Sequence, residues 1–137
     1  MKLSLGSALT LAAFLIVCNT GPADAHHSFA AEFDRDKPVQ LTGTVTGMKW
    51  SNPHAWIYLD VEDGAGNVVN WALETRAANN LIRLGWRRED LPVGSVLKVE
   101  GWQARNGNPT SSISSVLFED GRTLFVGSPD SPAATQP

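Results

Sequence analysis

The chain has 137 residues, a formal net charge of −3 and a single cysteine. With 11 Lys and Arg against 14 Asp and Glu, it has no basic excess to neutralise phosphates, which argues against a nucleic-acid binder. One cysteine cannot form a disulfide framework, so the fold must rest on its core.

The first 25 residues divide as a cleavable secretion signal does. Met1-Lys2 is a short positive start, Ala8 to Val17 is an apolar run broken by Thr10, and Ala23-Asp24-Ala25 offers small residues where a signal peptidase reads them. The run falls short of the roughly 20 residues that a bilayer span requires, so cleavage is expected rather than retention as an anchor. Cys18 follows Leu15-Ile16-Val17 instead of a small residue, so lipidation is not expected. The mature chain, residues 26–137, is then long enough for one domain with one core. It would have no cysteine, and Asn108 is followed by Pro109, which removes a glycosylation acceptor. Both features suit a bacterial periplasm, with no membrane association after cleavage.

Residues 26–38 read as a polar arm pinned to the domain by Phe29 and Phe33, and residues 128–137, rich in Ser, Pro and Ala, as a disordered tail. Between them, residues 39–127 carry short strand patterns separated by turns. Val39 to Trp50 is β-branched, with Gly43 and Gly47 suggesting a bend or bulge. Ser51-Asn52-Pro53 is a turn, and Ala55 to Asp63 alternates apolar Ile57, Leu59 and Val61 against Trp56, Tyr58 and Asp60.

Gly64-Ala65-Gly66 fits a three-residue hairpin loop with Gly66 in the left-handed conformation. That loop sets Val61 opposite Val69, Leu59 opposite Trp71 and Ile57 opposite Leu73 as a core face. The other face pairs Trp56 with Glu74, Tyr58 with Ala72 and Asp60 with Asn70. Arg76 to Leu84 predicts a short helix stopped by Gly85, and Arg87-Arg88-Glu89-Asp90 a solvated turn. A strand over Val96 to Ala104 and a closing hairpin over Ile113 to Phe118 and Thr123 to Val126, turning at Asp120-Gly121, complete the order. The expectation is a mainly β chain: a small OB-like barrel of five to six strands with one short helix between strands three and four. An unclosed β-sandwich is the structural alternative.

His26-His27-Ser28-Phe29, Gly43-Thr44-Val45, Asn52-Pro53-His54-Ala55, Trp71 and Val99-Glu100-Gly101 together resemble a family of short exported bacterial proteins filed as a domain of unknown function. The resemblance implies an envelope location and a barrel-like domain; it lends no activity and no catalytic residue.

Three histidines, His26, His27 and His54, are the candidate metal ligands. Cleavage after Ala25 would make His26 terminal, so that its amine and its Nδ1 chelate one metal in a ring. A second imidazole completes a nitrogen set that suits copper, with zinc next. His54 is the first choice for that imidazole. His27 is an auxiliary, and Glu32 or Asp34 can add an oxygen. The competing readings are a solvated His-His terminus and a His54 that merely caps the Asn-Pro turn.

A second candidate is the face of Trp56, Tyr58, Asp60, Asn70 and Glu74, where two rings beside carboxylates could bind a small ligand or an envelope protein without metal, unless the helix or the arm covers them. The remaining tryptophans, Trp50, Trp86 and Trp102, read as packing. No Ser-His-Asp set, cysteine nucleophile or phosphate-cradling glycine pattern is legible, and Asp60 with Glu74 is a weak acid–base pair, so an enzyme is not the expectation. The leading expectation is a periplasmic metal-binding protein handling copper; the alternative is a metal-free envelope binding module.

Overall fold

The structure, a computed structural model, describes residues 29–127. Residues 1–28, with the expected secretion signal and the candidate ligands His26 and His27, and the expected tail 128–137 lie outside the described residues. In chain order the elements are α1 (Phe29–Glu32), β1 (Phe33–Lys49), β2 (Trp56–Glu62), β3 (Val68–Glu74), α2 (Ala78–Arg83), β4 (Val96–Ala104), β5 (Thr110–Phe118) and β6 (Thr123–Phe125).

One sheet runs β3-β2-β1-β4-β5-β6, and an additional pairing of β3 with β5 joins its ends into a ring of hydrogen bonds. The closing pair is parallel, Ala72 to Glu74 against Thr110 to Ser112, while the other neighbours are antiparallel. The result is barrel-like with the helix α2 between the third and fourth strands, as the OB-like reading expects, and the ring excludes the open sandwich.

The register of β2 on β3 is the one the loop chemistry demands: Ile57 faces Leu73, Leu59 faces Trp71 and Val61 faces Val69. Gly66 has a φ of 84°, and Asp63 receives the loop amides of Ala65 at 2.8 Å and Asn67 at 2.9 Å. The inward residues Ile57, Leu59, Leu73, Leu97, Val99, Ile113 and Val116 are all buried in one core with Val45, and Leu81 of α2 and Trp86 beyond it join them. The hairpin's apolar face outruns that core, since Val69 is already 36% exposed.

Gly43 and Gly47 fall where the sequence expects a distortion. The β1–β2 register shifts between Val45 and Gly47, and a Cβ on Gly43 would stand 2.5 Å from the Asp60 carbonyl oxygen.

Several boundaries differ from expectation. β1 begins at Phe33 rather than Val39, because Phe33 pairs with Ala104 before the ladder resumes at Pro38. The stretch read as an arm is thus partly strand. The helix is shorter than Arg76 to Leu84, because the Arg76 carbonyl accepts the Ala55 amide at 3.1 Å and prolongs the sheet past β3. The Arg87–Asp90 turn contains a 3-10 helix over Arg88–Asp90, held by the Arg87 amide donating to the Asp90 carboxylate at 2.7 Å.

β5 starts three residues early, with Ser111 and Ser112 fully buried. Two serines give no apolar signal, yet only small side chains fit where β4 passes so close. A Cβ on Gly101 would collide with the Ser112 carbonyl oxygen and stand 2.8 Å from Ser111 Oγ. Gly101→Ala should therefore destabilise the fold by about 1–3 kcal/mol, as overpacking does, whereas Gly64→Ala, whose Cβ meets nothing within 4 Å, should be near neutral. Urea denaturation of the two variants compares them directly.

Asp63 is held below its ordinary pKa chiefly by the Asn67 side chain, then by the backbone amides of Asn67 and Ala65. Its support of the hairpin is complete above the usual carboxylate range and is lost as pH falls through its depressed value. In an acid titration followed by NMR, the Ala65 and Asn67 amides should shift together at a pH below that of an unperturbed aspartate.

Candidate functional site

The turn between β1 and β2 is sewn to the end of β3. Its Asn52-Pro53 bond is cis, Ser51 Oγ donates to the His54 carbonyl at 2.6 Å, and the Ala78 amide donates to the Ser51 carbonyl at 3.0 Å. Behind His54, the Ala55 carbonyl accepts both the Thr75 amide at 2.9 Å and Thr75 Oγ1 at 3.0 Å. The alternation of β2 runs back through this turn, so His54 falls on the face of Trp56, directly beside Glu74.

His54 does not cap its own turn. Its Nδ1 lies 2.6 Å from Glu74 Oε1 and 3.3 Å from the Thr75 carbonyl oxygen. Both neighbours are acceptors, so Nδ1 carries a proton and donates to them, and in the neutral form of the ring the lone pair is on Nε2. The Glu74 side chain is only 8% exposed, while that of His54 is 37% exposed. A buried carboxylate thus fixes the tautomer of a half-exposed imidazole. That is the outer-shell arrangement which orients metal-ligating histidines and raises their basicity.

The aromatic face divides in two. Trp56 is opposite Glu74, Tyr58 opposite Ala72 and Asp60 opposite Asn70, as the hairpin register requires. At the far end, Asn70 Nδ2 donates to Asp60 Oδ1 at 2.8 Å and to Thr46 Oγ1 at 3.1 Å, so these polar groups satisfy one another. Glu74 lies four residues along β3 from Asn70, about 14 Å at strand spacing. Asp60 and Glu74 therefore cannot act on one atom, and the weak acid–base pair is dismissed. Trp56 and Tyr58 are half-buried.

Of the auxiliary oxygens, Asp34 engages Arg105 at 3.8 Å and Lys37 at 3.9 Å. His26 and His27 lie outside the described residues, and among the described residues no group of three or more His, Cys, Asp or Glu is gathered for a metal.

A groove of about 570 Å³ lies elsewhere, on the outward side of β1, β4, β5 and β6. Its lining includes Lys98, Glu100, Leu117 and Phe125 but no histidine. The imidazole and the buried carboxylate thus meet at the His54 turn and not in this groove.

What sequence reasoning missed is the Glu74–His54 bond. The signal was present: extending the β2–β3 register by two residues sets position 54 against position 76, diagonal to Glu74.

Comparison with known proteins places the chain by residues 13–113, which match the Family of unknown function (DUF6152). The chain belongs to that family. No curated protein and no solved structure matches it. Both the His54 turn and the carboxylate that orients it fall inside the matched span. Among the described residues, no helix is long and apolar enough to cross a membrane.

Glu74→Ala should release the tautomer. In long-range ¹⁵N NMR of the wild type at a pH where His54 is neutral, the ring should show the Nδ1–H form. In the variant it should show a mixture with the Nε2–H form.

Proposed function

We propose that this chain is an exported bacterial protein that handles metal in the periplasm, binding copper through His54 Nε2 together with the amine and imidazole of a processed His26. His27 is auxiliary, and zinc is the second choice of metal. The observation that carries the reading is the Glu74–His54 bond. It leaves Nε2 as the coordinating nitrogen, and the buried carboxylate holds the ring in place for it. Three nitrogen donors suit the tetragonal preference of Cu(II) better than the closed tetrahedron of structural zinc.

The length of chain also supports the reading. Phe29 is packed against Phe33, Ala104 and Trp102, and the three-residue step from it to His26 can reach at most about 10 Å. Cleavage after Ala25 supplies the free amine, so export and metal binding belong to one reading.

Titration of the processed protein with Cu(II), followed by electron paramagnetic resonance, tests it. The expected result is a nitrogen-rich signal and an affinity at least tenfold above that of a short His-His peptide. One residue added before His26 should abolish the gain, and Glu74→Gln should reduce affinity by about 10–100-fold. Binding no tighter than the peptide's overturns the proposal and leaves the metal-free reading, an envelope binding module that uses Trp56 and Tyr58.

A further inference from the structure

The outer side of β1, β4, β5 and β6 carries a side-chain pattern that the His54 turn does not use. Strand pairing lays it out in two rows across four strands. One row runs Gln40, Glu100, Ser115 and Phe125, and the next runs Thr42, Lys98, Leu117 and Thr123. Their neighbours Leu97, Val99 and Val116 are buried in the core, so both rows face outward by strand alternation. Together they line the groove of about 570 Å³. A second depression of about 440 Å³ shares Thr42, Lys98 and Leu117 and runs on to Glu119 and Gly121.

Two features set this surface apart from an ordinary solvated sheet face. The first is a carboxylate held in place beside a separate cation. Gln40 Nε2 donates to Glu100 Oε1 at 3.1 Å, and Ser115 Oγ donates to Glu100 Oε2 at 3.4 Å. Ser114 Oγ donates to the Glu100 carbonyl at 3.2 Å, where the β4–β5 register shifts. Lys98 stands two positions away on the same face, about 7 Å along the strand. Among the described residues its ammonium has no ion-pair partner. The second feature is apolar: Phe125 is 69% exposed and Leu117 38%, and both open onto the same groove.

The lining selects among ligands. A ligand anion meets Glu100, and a ligand cation meets Lys98. A wholly apolar ligand strips water from both charges and replaces none of it. An extended peptide binds chiefly by main-chain pairing at a free strand edge. Here β1, β4, β5 and β6 already pair with one another, and the Phe125 carbonyl on the last strand accepts Trp86 Nε1 at 3.2 Å. A neutral polyhydroxylated ring meets each requirement. Its hydroxyls donate to Glu100 and accept from Lys98, while its C–H face lies on Phe125 and Leu117.

We propose that this face is a carbohydrate-binding site. A neutral oligosaccharide lies across β4, β5 and β6, with Phe125 as its stacking platform and Glu100 and Lys98 as its polar contacts. The site is independent of the metal reading, since no histidine lines it.

Titration of the ¹⁵N-labelled processed chain with cellotetraose, and separately with chitotetraose, up to about 10 mM tests the site. With at least one of them, the amides of Lys98 to Glu100, Ser115 to Leu117 and Thr123 to Phe125 should shift saturably. Those of His54 to Tyr58 should stay in place. Phe125→Ala should weaken the affinity about tenfold, as loss of an apolar contact does, and Phe125→Trp should retain it. Glu100→Gln should weaken it by about the same factor, because a charged acceptor becomes a neutral one. Both side chains are exposed, so these variants leave no cavity in the core. The proposal is overturned by the absence of saturable shifts with either sugar, by shifts confined to the Trp56 and Tyr58 face, or by wild-type affinity in Phe125→Ala or Glu100→Gln.

Discussion

Where β3 meets β5, Ala72, Leu73 and Glu74 run parallel to Thr110, Ser111 and Ser112, and the ring of strands closes. Without that contact the sheet has two free edges, the apolar faces of β2 and β5 have no common interior, and no element spans from β4 to β3. The contact makes a steric demand, because β5 lies close against β4 while its first residues also pair with β3. Gly101, Ser111 and Ser112 meet it by being small. Small residues in this ladder contribute little burial of their own; they permit burial by the larger residues around them.

The same contact brings together two regions far apart in sequence. It sets Glu74 two strands from Trp102, and Trp102 is the floor on which Phe29 and Phe33 rest. Meanwhile the Asn-Pro turn, pinned by Ser51 and by the Ala55–Thr75 bonds, delivers His54 onto Glu74. A carboxylate buried to this degree costs free energy unless its oxygens are bonded. Here the imidazole N–H is one such partner. The pair therefore stabilises the join between turn and strand, and it leaves one imidazole nitrogen with a lone pair. Structural and chemical roles coincide in one bond, so the proposed function is read from the tautomer rather than from the mere presence of a histidine.

Much of this was legible without coordinates. The three-residue loop around Gly66 determined every pairing between β2 and β3, because a one-residue slip would have turned Ile57, Leu59 and Leu73 outward. The bulge near Gly47, the left-handed stop at Gly85 and the bounds of β4 were readable for similar local reasons. The start of β5 was not, since buried Ser111 and Ser112 look like loop residues until the closeness of Gly101 is known. Nor was the early start of β1, which depends on Phe33 finding Ala104 across some seventy residues of chain.

By itself, then, the amino-acid sequence determined what is governed by neighbours along the chain: the alternation of strands, the turn chemistry, the hairpin register, the mainly β class and the choice of histidines as candidate ligands. Only the tertiary structure decided that β3 and β5 close the ring, that Glu74 is buried and bonded to His54 Nδ1, and that Asp60 and Glu74 are too far apart to cooperate. It also decided that Phe29 and Phe33 are buried against Trp102 rather than along the main core. The physical reason is the same throughout. Burial and tautomer depend on groups that meet across the barrel-like sheet, and no local pattern encodes who those partners are.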